Sequence, residues 1–322
     1  MVDELRLDLD QYRESRTLQP ITGFRVGAID PDDQGVDVSY DRPVSYGIRR
    51  CEFDAYLLRR SGARLLLGAP ASDIRRDGSG WRVNRTLTAR MLVGAGGHFC
   101  PVARMLNRGS ERVPVVAAQE VEFPVPADSM CSVAAERPEL YFCPDLSGYG
   151  WCFRKGGYLN VGLGRLGARA LPGSTAGFVD FLERRGRIFA DPSSWRWRGH
   201  AYLLSGSGRR AADDGVVLIG DAAGLAYPQS GEGIRPAIES GLMAASAIVE
   251  AKGSYNCDRL EPYAKSLRER FGAPSSRHLI SHLLPLGLAA TLARHLLDTR
   301  WFVRHVVLDR WFLHAGDRAL LV

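Results

Sequence analysis

The sequence predicts an α/β (α+β) fold, in which a parallel-sheet domain carries an inserted antiparallel β-sheet and is followed by C-terminal helices. The apolar run Gly215 to Ile219 ends in a loop of small residues and a helical pattern, as a buried parallel strand does. Apolar and polar residues alternate through much of 115–164, which is typical of antiparallel strands. With 322 residues, 45% of them hydrophobic, the chain can bury one large or two modest cores.

Four segments follow from these patterns in chain order. Residues 1–107 hold strands, a helix that begins near Arg50, a hairpin and the strand after Met91, and form the first part of the parallel-sheet domain. Residues 108–206 form the antiparallel sheet with one helix, and residues 207–250 return to the first domain. Residues 251–322 form a C-terminal helical region.

The most informative segment is GDAAGLAYPQSGEGIRPAIESG, which starts at Gly220. It places Asp221 at the carboxyl end of a strand, where ligands bind in open α/β sheets and where a carboxylate can accept hydrogen bonds from sugar-like hydroxyls. Gly231 and Gly233 then open a helix whose free amides and dipole favour an anion or an oxygen that gathers negative charge. The alternative is an ordinary tight turn in which Asp221 caps the helix.

A second segment, YGWCFRKGGYLNVGLG, places three aromatic side chains on one face of a strand. These residues, Tyr149, Trp151 and Phe153, would form a wall suited to a long apolar substrate. An aromatic core strand without a ligand is the alternative.

The first segment resembles the second FAD-binding motif of the flavoprotein family that includes aromatic hydroxylases and geranylgeranyl reductases. The resemblance implies that Asp221 holds the ribityl chain of FAD and that Gly231 and Gly233 approach its pyrophosphate and isoalloxazine ring. It also implies cofactor-binding positions at Gly220, Pro228 and Ile234.

Two further segments resemble the same family. The run YGIRRCEFDAYLL looks like its Arg-x-x-Phe-Asp-x-x-Leu helix start, which implies that Arg50 lies beside the cofactor. The run MLVGAGGHFCPVAR looks like its Gly-Ala-Asp-Gly turn, which implies cofactor contacts at Gly94 and Gly97. Gly96 stands where the aspartate is common, so this position is not assigned.

The aromatic strand resembles the substrate-site signature of geranylgeranyl reductases, Tyr-x-Trp-x-Phe-Pro followed by Gly-x-Gly. Arg154 replaces the proline of that signature. The implied substrate-binding residues are Tyr149, Trp151, Phe153, Gly162 and Gly164. The resemblance implies a fold class of an incomplete FAD-binding Rossmann-like domain with an inserted antiparallel β-sheet substrate domain and C-terminal helices.

The predicted domain is incomplete in its first β-α-β unit, whose G-x-G-x-x-G holds the ADP pyrophosphate in that family. No such pattern precedes Arg50, so the chain is predicted to lack an N-terminal segment of about 80 to 100 residues. Three explanations stay open, namely a truncated product, a missing piece on another chain, or a remnant that no longer holds FAD.

The resemblance implies an FAD-dependent oxidoreductase that transfers a hydride from reduced flavin to an isoprenoid carbon–carbon double bond. NAD(P)H or another reductant would supply the electrons, and the substrate would be a prenyl lipid or another apolar small molecule. The alternatives are an FAD-dependent monooxygenase of the aromatic-hydroxylase type and a non-catalytic remnant. No catalytic residue is assigned.

The net charge of +6 arises largely from arginines near the C-terminus. The run Leu283 to Ala293 is too short to span a bilayer. Trp301 and its neighbours could contact an anionic membrane surface, or could pack inward as a helical subdomain with a basic outer face. A nucleic-acid partner is not expected, since no recognition module accompanies the charge. The six cysteines lack zinc spacing, so no metal site is expected. Free thiols indicate a reducing compartment, and the predicted location is the cytoplasm, either in solution or peripheral at the inner membrane surface.

Overall fold

A computed structural model describes residues 2–109, 113–125, 131–188, 195–272 and 294–320. The described strands are β1 Leu18–Ile21, β2 Gly23–Ala28, β3 Val36–Ser39, β4 Ser45–Ile48, β5 Ile74–Asp77, β6 Gly80–Val83, β7 Leu87–Ala89, β8 Leu92–Gly94, β9 Val116–Pro124, β10 Glu139–Phe142, β11 Gly148–Lys155, β12 Tyr158–Leu166, β13 Arg198–Tyr202, β14 Ala212–Asp213 and β15 Val216–Leu218. The described helices are α1 Leu9–Arg13, α2 Arg50–Arg60, α3 Pro101–Leu106, α4 Leu171–Arg184, α5 Gly220–Ala223, α6 Ile234–Glu250, α7 Cys257–Phe271 and α8 Arg300–Phe302, which continues into a π-helix, Val303–Phe312.

A three-stranded sheet of order β14-β15-β8 forms the core of the predicted Rossmann-like part. Strand β15 runs parallel to β8, with Leu218 opposite Gly94. All three residues of β15 are buried, as the apolar run predicted for an internal parallel strand. Helices α6 and α7 pack against this sheet. Because β8 and β15 are parallel neighbours, the loops that follow them emerge together at the carboxyl edge of the sheet.

A seven-stranded sheet of order β13-β9-β12-β11-β10-β2-β3 forms the second layer. Its strand pairs are antiparallel, except that β10 runs parallel to β2. Strands β2 and β3 lie in the predicted segment 1–107 but complete the sheet formed mainly by segment 108–206. The first segment therefore contributes to both sheets, a pairing between distant parts of the chain that local patterns do not reveal.

One face of the large sheet is covered by α4, on which Phe178 and Leu182 are fully buried. Alternation along the strands gives the opposite face a separate set of residues, including Tyr149 and Trp151. That second face meets the loop before α6 and the start of α2. The predicted substrate wall therefore lies between the two layers.

The end of the chain packs against the large sheet. Val303, Val307 and Leu308 of the π-helix are fully buried in a cluster with residues of β2, β3 and β10. Trp301 is different, since 65% of its surface is exposed. The run Leu283 to Ala293 lies outside the described residues. Within the described residues, no helix is both long and apolar enough to cross a bilayer.

Candidate functional site

Two predicted cofactor loops meet at the carboxyl edge of the small sheet. The Ile219 N–H donates to the Gly94 carbonyl over 3.0 Å, which extends the parallel pairing of β15 and β8 to the ends of both strands. The loop after β8 then turns at Gly97, whose φ of +68° favours glycine. The structure thus brings the residues after Gly94 next to those after Gly220.

Asp221 lies in the first turn of α5 at this edge. The Gly220 N–H donates to Ser240 Oγ over 2.9 Å, which fixes the turn against α6. The Asp221 carboxylate makes no hydrogen bond to any described residue. Burial raises its pKa, while the positive charges of Arg50, His98 and His200 act in the opposite direction. Asp221 is therefore a partly desolvated carboxylate whose oxygens are available to a ligand.

The glycines before α6 leave space around Asp221. A Cβ atom at Gly233 would lie 2.9 Å from Asp221 Oδ1, and one at Gly231 would lie 2.4 Å from the Tyr202 hydroxyl oxygen. Gly231 also has a φ of +67°. Larger residues at either position would therefore displace the carboxylate or the tyrosine.

The other predicted residues of this loop have different surroundings. Ile234 packs on the cluster formed by α1 and α2, whereas Pro228 is exposed. The expected free amides of α6 are only partly available, because the Glu232 carboxylate accepts from the Arg235 N–H over 2.9 Å. Burial raises the pKa of Glu232.

Arg50 is the first residue of α2, as its motif predicted. Its guanidinium donates two hydrogen bonds of 3.1 Å to Asp54 and is more than half exposed. The structure therefore places Arg50 within electrostatic reach of Asp221 but engages its guanidinium with its own helix.

On the large sheet, Trp151 lies opposite Gly162, and the indole ring extends over that glycine. A Cβ atom at Gly162 would come within 2.3 Å of the ring. The Trp151 indole N–H donates to Asn160 Oδ1 over 2.7 Å. The absence of a side chain at Gly162 thus leaves room for the indole ring, and the hydrogen bond to Asn160 fixes the orientation of that ring.

This hydrogen bond continues into a network that the sequence motifs did not reveal. Asn160 Nδ2 donates to Glu120 over 3.3 Å, and Glu120 lies 3.0 Å from His200 Nε2. The hydrogen bond to Glu120 raises the pKa of His200, against an opposite effect of burial. The only sequence signal for this network is the alternation along β9 and β13. Glu120 and His200 are polar residues within otherwise strand-like runs, at positions where alternation directs side chains to one face of the sheet.

The aromatic strand contacts the predicted cofactor loop between α5 and α6 directly. The Tyr149 hydroxyl donates to the backbone carbonyl of Ser230, the residue before Gly231. Burial raises the pKa of Tyr149 far above its ordinary value, so the hydroxyl stays protonated as this bond requires. Gly164 lies opposite Tyr149 on β12. Phe153 continues the same face and lies 5.1 Å from Lys155 Nζ, measured to the ring centroid.

The Gly162 contact gives a testable expectation for Gly162→Ala. The added methyl group would clash with the Trp151 ring and, at 2.8 Å, with the Gln119 carbonyl oxygen. We expect a destabilisation of about 1–3 kcal/mol in urea unfolding, together with displacement of the ring. Gly199→Ala on β13 is the matched control, because no atom lies within 4 Å of its Cβ position. Equal stability of the two variants would contradict this packing.

Comparison with known proteins assigns the chain to a family. It is 32% identical over 282 residues to the digeranylgeranylglycerophospholipid reductase of Methanothrix thermoacetophila, covering 80% of this chain and 69% of that protein. The chain belongs to the geranylgeranyl reductase family. It is an FAD-dependent oxidoreductase. The geranylgeranyl diphosphate reductase of Nicotiana tabacum is 30% identical over 78% of this chain and 56% of its own length. No family model matches the chain.

Solved structures bear out the fold. A geranylgeranyl bacteriochlorophyll reductase-like protein from Thermoplasma acidophilum superposes with a TM-score of 0.70 at 22% identity, covering 88% of this chain and 76% of that one. A probable FAD-dependent monooxygenase from Pseudomonas aeruginosa superposes with a TM-score of 0.57 at 21% identity, covering 93% of this chain and 84% of that one. The predicted FAD-binding Rossmann-like fold is thereby confirmed.

The geometry at the sheet edge fits a flavin dinucleotide. Asp221 offers a carboxylate that makes no hydrogen bond to any other described residue, which suits the hydroxyl groups of a ribityl chain. Gly231 and Gly233 keep Cβ atoms out of the space beside it. The Nδ1 atom of His98 is buried without a hydrogen-bond partner among the described residues, so a polar ligand group would also find an acceptor or donor there.

Proposed function

We propose that this chain reduces carbon–carbon double bonds in the isoprenoid chain of a prenyl lipid. The observation that carries the proposal is the hydrogen bond between Tyr149 and Ser230, which joins the aromatic strand to the loop beside Asp221. An alkene lying along the aromatic wall would therefore approach a ring held by that loop. The names of the relatives support the same substrate class, since they are reductases of a digeranylgeranyl lipid and of geranylgeranyl diphosphate.

Within this proposal, the chain supplies binding and orientation. Reduced FAD provides the hydride when bound. Asp221 accepts hydrogen bonds from the ribityl hydroxyls, and Gly231 and Gly233 permit close approach of the cofactor. Tyr149 and Trp151, whose ring centroids lie 6.0 Å apart, shield the alkene from water, and Phe153 extends the same strand face. NAD(P)H or another reductant regenerates the reduced cofactor.

The test is an anaerobic incubation of the FAD-loaded protein with dithionite and a digeranylgeranyl glycerophospholipid, analysed by mass spectrometry. The expected product gains two hydrogen atoms for each double bond reduced. A product that gains oxygen, formed only in air with NAD(P)H, would instead assign the chain to the monooxygenases. FAD binding with neither product in the presence of this lipid would remove the substrate assignment while leaving the cofactor site intact.

We also propose that the protein works in the cytoplasm and contacts the inner membrane surface through Trp301. Its side chain is 65% exposed and lies in a segment with Arg300 and Arg304, which suits an anionic lipid surface. We expect Trp301→Ser to reduce co-sedimentation with phosphatidylglycerol vesicles severalfold. Leu67→Ser, which removes another apolar side chain that is 81% exposed, is the control and should leave sedimentation unchanged. Equal sedimentation of the two variants would argue against this contact.

A further inference from the structure

His200 lies on the same face of the large sheet as the aromatic residues of β11. Residues directly opposite each other on paired strands share a face, and one such row crosses four strands. The residues of this row are Tyr149 on β11, Gly164 on β12, Ala118 on β9 and His200 on β13. At about 4.8 Å per strand, the backbones of Tyr149 and His200 are about 14 Å apart. His200 therefore faces the aromatic strand across two small residues.

The space between these two strands adjoins the predicted cofactor loop. A Cβ atom at Gly164 would lie 3.4 Å from the Tyr202 hydroxyl oxygen and 3.7 Å from the Trp151 ring, so these two side chains lie over the glycine. The same hydroxyl also lies beside the loop before α6. Burial raises the pKa of Asp221, and the charge of His200 is among those that oppose this effect. His200 is therefore within electrostatic reach of the candidate cofactor site.

Glu120 holds the imidazole ring of His200 in one orientation. His200 Nε2 lies 3.0 Å from Glu120 Oε1, and Asn160 donates to the other oxygen of that carboxylate over 3.3 Å. The hydrogen bond from His200 lowers the pKa of Glu120, against an opposite effect of burial, so the carboxylate stays ionised. The Nδ1 atom of His200 makes no hydrogen bond to any described residue, and 52% of the side chain is exposed. Protonated His200 therefore keeps one N–H free for a ligand.

The charges around His200 favour its protonated form. The hydrogen bond to Glu120 raises the pKa of His200 above 6.5, against an opposite effect of burial. The cations that also oppose this rise are Arg50 on α2 and Arg198 on β13. Asp221 on α5 is a further charge within reach. At pH 7 the imidazolium is therefore more populated than in a free histidine.

Two phenol groups on the same face are weaker acids than His200. Burial raises the pKa of Tyr202 to about 12 and that of Tyr149 further still. The Tyr149 proton is also engaged with the Ser230 carbonyl. A general acid is most effective when its pKa lies near the working pH, so His200 is better matched to proton transfer than either tyrosine.

We propose that His200 is the general acid of the reduction and that Glu120 is its positioning residue. Saturation of a double bond requires a proton in addition to the hydride. The Nδ1–H bond of His200 breaks, and its proton forms a C–H bond with the electron pair of the alkene π bond. The other alkene carbon receives the hydride, and the neutral imidazole regains a proton from water. The inference rests on the proposed function and names residues outside every sequence motif.

The test follows single turnovers of anaerobic, FAD-loaded and pre-reduced protein with a detergent-solubilised digeranylgeranyl glycerophospholipid. We expect the parent rate to fall as the pH rises through the folded pKa of His200, since only the imidazolium carries the proton. His200→Gln should react about 100-fold more slowly and lack that fall, with unchanged dissociation constants for FAD and the lipid. His305→Gln is the matched control and should react as the parent chain does. His305 lies 3.1 Å from Asp309 at the opposite edge of the large sheet and is similarly exposed.

Proton NMR of the cofactor-free chain gives a second readout that does not depend on turnover. Glu120→Gln should lower the pKa of the His200 imidazole, because it removes the charge that stabilises the imidazolium. The fall in the reduction rate should move to lower pH by the same amount. A purely structural role of Glu120 would not produce these matched shifts. Circular dichroism melting checks that each variant is folded.

The outcomes separate this inference from the proposed function. If His200→Gln reduces the lipid at the parent rate, or retains the fall in rate with pH, His200 is not the acid and the proposed function stands. A loss confined to the affinity for FAD or the lipid makes His200 a binding residue and also overturns the inference. A parent chain that reduces no double bond removes the proposed function and this inference together.

Discussion

The Asp221→Ala chain is expected to lose FAD on dialysis, with a dissociation constant about 100-fold above that of the parent chain. Two hydrogen bonds from hydroxyl groups to a carboxylate account for an effect of this size. The carboxylate makes no hydrogen bond to a described residue, so its removal breaks no hydrogen bond within the described part of the chain. Equilibrium dialysis followed by the visible absorption of the retained flavin measures the change. Unaltered occupancy would refute the role of Asp221.

Replacing Asp221 should lower the affinity for FAD but should not lower the stability of the cofactor-free chain against unfolding. Burial raises the pKa of Asp221, so the ionised form is less stable in the folded chain than in water. This group therefore favours folding while it is protonated, and that contribution is lost as the pH rises through the folded pKa. At pH 7 we expect the cofactor-free Asp221→Asn chain to be as stable as the parent chain or about 1 kcal/mol more stable. Asp213→Asn, at an exposed ion pair with Arg210, serves as the control for both measurements.

The largest loss of stability is expected for Glu239→Gln in α6. The Glu239 side chain is fully buried, and each of Arg235 and Arg270 donates to it over 2.8 Å. Neutralising it leaves the largely buried Arg270 without an ion pair among the described residues and leaves Arg235 only Asp317, at 3.9 Å, which should cost about 3–5 kcal/mol. Arg235 and Arg270 also donate to the carbonyls of His314 and Arg318, so the C-terminal segment should loosen at the same time. Urea unfolding measures the effect.

The pH dependence of this cluster distinguishes it from a surface ion pair. Burial acts to raise the pKa of Glu239, but the hydrogen bonds and charges of Arg270 and Arg235 outweigh it and lower the pKa below 4.5. The stabilisation is therefore complete above pH 4.5 and is lost as the pH falls through the folded pKa. The stability difference between Glu239→Gln and the parent chain should shrink in acid. Glu261→Gln, which breaks an exposed pair with Arg268, should cost no more than about 1 kcal/mol at any pH.

The local sequence was sufficient wherever a single element carried the signal. The strand before Gly220, the helix after Gly233 and the aromatic strand from Tyr149 lie where they were predicted. Each depends on short-range rules, namely a buried apolar run, a glycine-opened helix start and alternation along a strand. The family resemblance was confirmed, whereas the binding roles, the segment boundaries and the absence of an N-terminal unit stay predictions.

What the sequence determined by itself was therefore the fold class, the order of the motifs and the placement of the aromatic residues on one face. Only the tertiary structure decided that β2 and β3 join the large sheet, that Glu120 and His200 meet beside Trp151, and that Arg209 donates to the carbonyl of Ala222. These contacts join residues far apart in the chain. They depend on strand pairing and on the burial of charge between residues that are distant in the sequence, and the local periodicity of the sequence predicts neither.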